Sequence, residues 1–333
     1  MLLAHAGLAV PLRRKTVLEP WPAKLPRSPE REMRLSVLDQ SVVEEGRSPG
    51  ASIRDTLELA RLCEMLGYSR YWLSEHHNSE AVAGTAPEIL IAAIAATTER
   101  IRVGSAGVML PNHSPLKVAE QFRVLEAIAP GRIDLGIGRA HGCDKTTAIA
   151  LNPQAEAALN SFQEQATDLI AWVSGREMPE GHPHHGIIAQ PRGPSAPEIW
   201  LLGSTDKGAR AAAAFGLPFC FAHFISGGRG VEEALVAYRE TYQPSERHPS
   251  PYATLCVWAL AVEVVSDLER SQIARLGDHL LYGAPEDVGA LLRSLGSAHH
   301  VDEIAVLTTV SDPKARKRSY ALLANEFELS RLR

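Results

Sequence analysis

Residues 101–140, IRVGSAGVMLPNHSPLKVAEQFRVLEAIAPGRIDLGIGRA, constrain the fold more than any other stretch of the chain. IRVGSAGVML is apolar and rich in β-branched residues, the pattern of a strand buried on both faces. Pro111 and Pro115 interrupt it, and Ser114 just before Pro115 is a good helix start. Apolar residues then recur at helical spacing through Leu116, Val118, Ala119, Phe122, Leu125 and Ile128. Pro130-Gly131 stops that helix, and RIDLGIG begins another strand. Strand, crossover helix and parallel strand make a βαβ unit, which is almost always right-handed.

The same phrase repeats along the chain. MRLSVLDQS, GYSRYWLSEHH, TERIRVGSAGV, PGRIDLGIGRA, APEIWLLGST, GLPFCFAHF, ATLCVWALAVEVV and VDEIAVLTT each read as a short buried strand leading into a polar loop. Helical patterns separate most of them, at 52–66, 87–98, 115–128, 156–173, 206–215, 231–242 and 313–328, with another at 285–295 before the last strand. Eight strands alternating with helices, without a composition break, predict an α/β fold of the TIM-like (β/α)8 barrel type, with a doubly wound open sheet as the alternative. Two segments depart from a minimal barrel. Residues 175–197, which include the cluster HPHH at 182–185, have room for a small hairpin, and 266–301 hold one clear helix and loop. The helix at 87–98 has almost no polar face, so it is expected to be buried all round, with a subunit interface covering it.

At 333 residues and 45% hydrophobic, the chain can bury a large core. A net charge of −5 and the lack of long basic runs argue against nucleic acid or an anionic membrane as partner. No apolar run is long enough to span a bilayer. Four widely spaced cysteines, Cys63, Cys143, Cys220 and Cys256, without a CxxC pair, fit a reduced cytoplasmic protein. Residues 1–32 carry several prolines and no sustained period, and are expected to be a poorly ordered extension before a single domain at 33–333. Arg13, Arg14 and Lys15 follow the apolar run instead of preceding it, the reverse of a secretory signal. Because Met33 directly precedes the first convincing strand, a native start there is a hypothesis, which an intact Met1 in the native mass would refute.

In barrels of this kind chemistry collects at the strand C-termini. Strand one ends in Asp39-Gln40-Ser41, strand two in Glu75-His76-His77-Asn78, strand three near Ala106-Gly107, strand four in Gly138-Arg139-Ala140-His141, strand five in Gly203-Ser204-Thr205-Asp206, and strand six in His223. Adjacent histidines suggest metal ligands, but neighbours on a strand point to opposite sides, and strand one offers no second ligand pair. No metal is therefore expected, His77 reads as a hydrogen-bonded or solvent-facing residue, and 182–185 as a solvated turn. His76 is the natural proton donor or acceptor. Gly136-Ile137-Gly138 resembles a dinucleotide fingerprint, yet His141 holds the third glycine position and the stretch follows the fourth strand, so that reading is rejected. Arg139 can grip a phosphate in two places, and the helix opening after Gly203-Ser204-Thr205 favours an anion, although Ser204 or Thr205 can equally be a simple N-cap.

SEHHN, RVGSAGVMLPNHSPLKVAEQF, PGRIDLGIGRA and WLLGSTD followed by FGLPF resemble the bacterial-luciferase-like flavin-dependent monooxygenases, in order from about Met33 to Leu323. The branch most like it includes oxygenases of bacterial natural-product pathways. The resemblance implies a barrel that dimerises through helices two and three, with His76 as catalytic residue at the reactive face of the flavin. It implies a cis peptide between Ala106 and Gly107 beneath the flavin ring, and an FMN phosphate held by Arg139, Ser204 and Thr205, with Glu75 and Gly203 completing the cofactor-binding set. The implied reaction uses reduced FMN from a separate reductase and molecular oxygen, through a flavin C4a-peroxide, to oxygenate a small organic substrate. The alternatives are deazaflavin-dependent hydride transfer on the same fold, and a flavin-binding protein without turnover. Gly138 stands where light-emitting members carry a reactive cysteine, Ala209 where a hydroxyl is common, and 266–301 is shorter than in many relatives. Light emission and a long-chain aldehyde substrate are accordingly not expected.

Overall fold

A computed structural model describes residues 33–44, 46–263, 273, 279–310 and 312–329. The extension expected at 1–32 lies outside the described residues. The strands are β1 (Arg34–Asp39), β2 (Arg70–Leu73), β3 (Arg102–Met109), β4 (Ile133–Gly138), β5 (Glu198–Gly203), β6 (Phe219–Ala222), β7 (Ala253–Ala261), β8 (Leu280–Gly283) and β9 (Glu303–Leu307). The helices are α1 (Pro49–Leu66), α2 (Pro87–Ala95), α3 (Pro115–Ile128), α4 (Lys145–Leu151), α5 (Ala155–Asn160), α6 (Phe162–Val173), α7 (Asp206–Phe215), α8 (His223–Ser226), α9 (Val231–Thr241), α10 (Pro285–His299) and α11 (Pro313–Glu326). No helix among the described residues is long and apolar enough to cross a membrane.

β1 to β7 and β9 close into a parallel barrel, through β9 against β1 (Val37 opposite Val306) and β6 against β7 (Cys220 opposite Thr254). The expected (β/α)8 barrel is thus what the chain forms. Its strands read as continuous apolar runs because both faces are covered: one face meets the helices, the other fills the barrel with Leu38, Trp72, Trp200, Cys256 and Leu307. The helices run back along the outside, α1 ending at Gly67 in the left-handed conformation (φ 95°) and α7 at Gly216 (φ 62°).

The structure corrects four expectations. The helix at 156–173 is two helices, because Ser161 turns its hydroxyl onto the Ala157 carbonyl (3.2 Å) and leaves helical geometry; a further helix, α4, precedes them, capped by Asp144. No strand forms in 175–197, whose five prolines (179, 183, 191, 194 and 197) cannot donate to a ladder. The segment before the last strand contains β8, which pairs with the far end of β7 (Trp258 opposite Leu280) where that nine-residue strand outruns β6. And α2 is not buried all round within one chain: Ile89 is 65% exposed, and α3, which packs on α2, exposes Val124 and Ile128.

At the strand N-termini the barrel is closed by charge. The Arg70 guanidinium, 8% exposed, bonds Asp134 (2.8 Å), Glu198 (2.9 Å) and Glu303 (3.0 Å), while Arg102 holds the other oxygen of Asp134 and Tyr252 donates to Glu303. Trp200 stacks under Arg70 at 4.8 Å. Every buried acid here has a cation and hydrogen-bond donors, which is the condition for burying charge.

Candidate active site

The chemistry-bearing residues gather at the opposite end. The loops after β1 and β2 zip together, with Val43 N–H on the Ala81 carbonyl and Ala83 N–H on Ser41 (both 2.9 Å), which sets the Gly84 carbonyl to accept the His76 N–H at 3.0 Å. His76 shares a hydrogen bond between Nδ1 and Ser74 Oγ (3.1 Å), and its Nε2 has no partner among the described residues. Burial pushes this imidazole below its ordinary pKa, against the pull of the Glu75 charge.

Glu75 points the other way, as alternation along an extended chain requires. It is buried, and both its oxygens are engaged: Oε1 accepts from His77 Nε2 and His113 Nε2 (2.8 Å each), and Oε2 from the Met109 N–H (2.9 Å). Burial alone would raise this carboxyl, but the two imidazoles and the amide outweigh it and hold it low. For His113 burial works downward, yet the Glu75 bond and charge prevail and the imidazole is raised. The carboxylate therefore brackets the ends of β2 and β3. His77 is the hydrogen-bonded histidine the sequence suggested. His113 was missed, because nothing in PNHSP sets that histidine apart from a loop residue. Asn112 extends the bracket toward β4, donating to the His141 carbonyl (2.8 Å) and accepting from His141 Nδ1 (2.9 Å).

Ala106 and Gly107 lie in β3 at a register shift against β4, and the peptide between them is cis. A Cβ on Gly107 would meet the Gly136 carbonyl at 2.8 Å and Leu202 at 2.9 Å; one on Gly136 would meet the Ser105 carbonyl at 2.2 Å. Gly104, Gly107 and Gly136 serve this close backbone approach, not a dinucleotide turn. Leu202, Phe224 and Trp258 pack as a partly buried apolar wall against the barrel cluster that contains Ala106, and the buried indole N–H of Trp258 has no partner among the described residues.

Across β4 and β5, Ile137 lies opposite Leu201, which sets Arg139 level with Gly203 at adjoining strand ends. Arg139 is exposed and makes no hydrogen bond or ion pair among the described residues. Thr205 is the N-cap of α7 but its hydroxyl makes no capping bond, so the first-turn N–H groups lack a side-chain acceptor. Gly203 has a packing role besides, since a Cβ there would stand 3.4 Å from Gly208 of α7. Ala209 is fully buried in that helix, consistent with the missing hydroxyl.

A family model described as luciferase-like monooxygenase matches residues 33–303. The chain belongs to the luciferase-like monooxygenase family. This luciferase-like monooxygenase is 39% identical over 329 residues to the uncharacterized protein YceB of Bacillus subtilis (strain 168), covering 88% of this chain and 99% of the relative. It is 32% identical over 327 residues to the N-acetyl-S-alkylcysteine monooxygenase of the same organism, covering 88% and 98%. Among solved structures, apo-MsnO8 superposes with a TM-score of 0.80 at 37% identity, covering 89% of this chain and 99% of that one. The protein is accordingly an enzyme, an oxidoreductase of the monooxygenase kind.

Proposed function

We propose that this monooxygenase is the oxygenating component of a two-component system, which takes reduced FMN from a separate flavin reductase and oxygenates a small organic substrate. The observation that carries the reading is the unpartnered Arg139 guanidinium level with the uncapped start of α7. A planar cation, free backbone N–H groups and the hydroxyls of Ser204 and Thr205 are a donor set matched to a phosphate dianion. Reduced FMN, when bound, supplies the electrons that activate oxygen. The protein's part is to bind, to exclude water and to manage a proton. Arg139, Ser204 and Thr205 hold the phosphate, and Ala106 and Gly107 offer a side-chain-poor surface to the ring. Leu202, Phe224 and Trp258 receive the substrate against an apolar wall, which favours a mostly apolar ligand with one acceptor for the indole N–H. His76, its Nδ1 set by Ser74 and its pKa lowered, is neutral near pH 7 and holds or passes a proton at Nε2. The chain carries no nicotinamide fingerprint, which is why a partner enzyme supplies the reduced cofactor, and it pairs with a second copy through α2 and α3.

Anaerobic titration with reduced FMN tests this. Arg139→Ala is expected to weaken binding about tenfold or more, the worth of a charge-assisted contact. His76→Ala is expected to keep that affinity while changing the pH dependence of cofactor reoxidation on mixing with oxygen. Unchanged affinity in Arg139→Ala would overturn the phosphate assignment. Oxygen-independent turnover with a deazaflavin, and none with FMN, would replace the proposed cofactor.

A further inference from the structure

On the flank of the barrel, a second group of chemistry-bearing side chains stands apart from the active site. Asp168 lies on α6, whose C-terminal end leads through 175–197 to the start of β5, toward the strand N-termini and away from His76 and Arg139. The loop folds back so that His182 Nε2 stands 3.3 Å from Asp168 Oδ1 and His184 Nδ1 stands 3.3 Å from Asp168 Oδ2. One ligand atom from each of the three residues lies within 4.8 Å of the other two. The segment is the solvent-facing turn the sequence suggested, and within it two histidines converge on one carboxylate.

We propose that Asp168, His182 and His184 form a binding site for a divalent transition-metal ion of the zinc class, which staples the 175–197 segment to α6. Both histidine–carboxylate distances are long for hydrogen bonds to a carboxylate, which run about 2.7–2.9 Å when charge-assisted. Each is close to the edge of a tetrahedron of zinc bonds, about 3.3 Å for bonds of about 2.0 Å, and because the two rings face different oxygens of Asp168, an ion is held by both oxygens or draws the rings toward one. Two imidazole nitrogens and one carboxylate oxygen suit zinc, nickel or copper and not calcium or magnesium, which prefer oxygen alone. The side chains are part-exposed (15% for Asp168, 29% for His182, 45% for His184), so an ion can enter and water completes its coordination.

The surroundings hold the donors in place. The Trp172 ring stacks on His184 (centroids 5.4 Å apart, 23° between planes), and its indole N–H donates to the Ile187 carbonyl at 3.1 Å, so the loop is already pinned on either side of the cluster. His185 is turned away, its Nδ1 on the Met178 carbonyl at 2.9 Å, which leaves two histidines for the ion. Binding has one identifiable cost. His182 Nδ1 accepts the His184 N–H at 3.2 Å, and a metal on Nε2 requires the single ring proton to move from Nε2 to Nδ1, so that one long bond is given up with no net release of a proton from this ring. The cluster includes none of the residues assigned to the flavin, so its role is to hold the loop.

The test uses tag-free protein, stripped with a chelator and titrated with Zn2+ by calorimetry and by competition with a chromogenic indicator. One saturable equivalent is expected, weakened about tenfold or more by His182→Asn or by His184→Gln. Zinc is also expected to raise the unfolding temperature of the native protein and not of the double variant. Asp168→Asn, which keeps the side-chain shape, is expected to weaken the site in the same way if a histidine variant folds poorly. No saturable zinc, or equal affinity in the native protein and the folded double variant, would overturn the proposal; the latter would place the ion on other histidines.

Discussion

Glu75 and His113 show how a residue's meaning depends on what it faces. The family resemblance implied Glu75 among the cofactor-binding residues. The structure turns its carboxylate onto His77, His113 and the Met109 amide. Its value to the site is the angle at which it holds the β2 end, and hence His76. A pH signature follows from the sign of the shift. His113 is raised in the folded protein, so its pairing stabilises fully below the ordinary histidine value of about 6.5 and is lost as pH rises through the higher folded value. Glu75 is lowered, so its share is present above about pH 4.3 and lost only in acid. The stability difference between the native protein and His113→Gln, measured by urea denaturation, is therefore expected to be larger at about pH 5.5 than at about pH 8.5. An equal difference at both would remove the ion pair from the account.

At the scale of elements, α2 is the segment whose sequence and environment disagree within one chain. PEILIAAIA has no polar stripe, yet Ile89 is 65% exposed, and α3, which packs on α2, exposes Val124 and Ile128. Exposed apolar residues on two packed helices motivate the proposal that a second copy covers this face. Ile89→Lys is expected to convert a dimer into a monomer in sedimentation equilibrium while leaving the far-UV spectrum unchanged. A native protein that sediments as a monomer would refute the interface. The register shift in β3 is the counterpart inside the barrel. It brings backbone to backbone across Gly104, Gly107 and Gly136, and those positions read in the sequence only as a scatter of glycines.

Over the whole molecule, the two ends of the barrel divide the work. The N-terminal end is a closed charge network centred on Arg70, with its acids Asp134, Glu198 and Glu303 paired; the C-terminal end leaves Arg139, His76 Nε2 and the α7 N-terminus without side-chain partners among the described residues. Satisfied groups hold a fold, and unsatisfied ones are available to a ligand. Arg70→Ala removes the shared cation from Asp134 and Glu303, both without solvent exposure, leaving them Arg102 and Tyr252 as partners, and is expected to destabilise the protein by about 3 kcal/mol in urea denaturation. A loss under about 1 kcal/mol would mean that the acids find other partners, as at a surface pair.

The order of strands and helices, and with it the barrel, was legible in the sequence because a parallel strand buried on both faces is a short apolar run that proline and glycine delimit. The same punctuation placed His76, Ala106, Gly107, Arg139 and Gly203 to Thr205 at strand ends, and residues carrying the family resemblance lie there. What spans the chain was not legible. The Glu75–His113 bond joins residues 38 apart, the Arg70–Glu303 bond 233 apart, and the two histidines of a proline-rich loop meet a helix residue at least 14 positions earlier. β8 and the exposed face of α2 belong to the same class. Local spacing decides periodicity, caps and turns. Which carboxylate a histidine meets depends on how the barrel closes, and only the tertiary structure decides that.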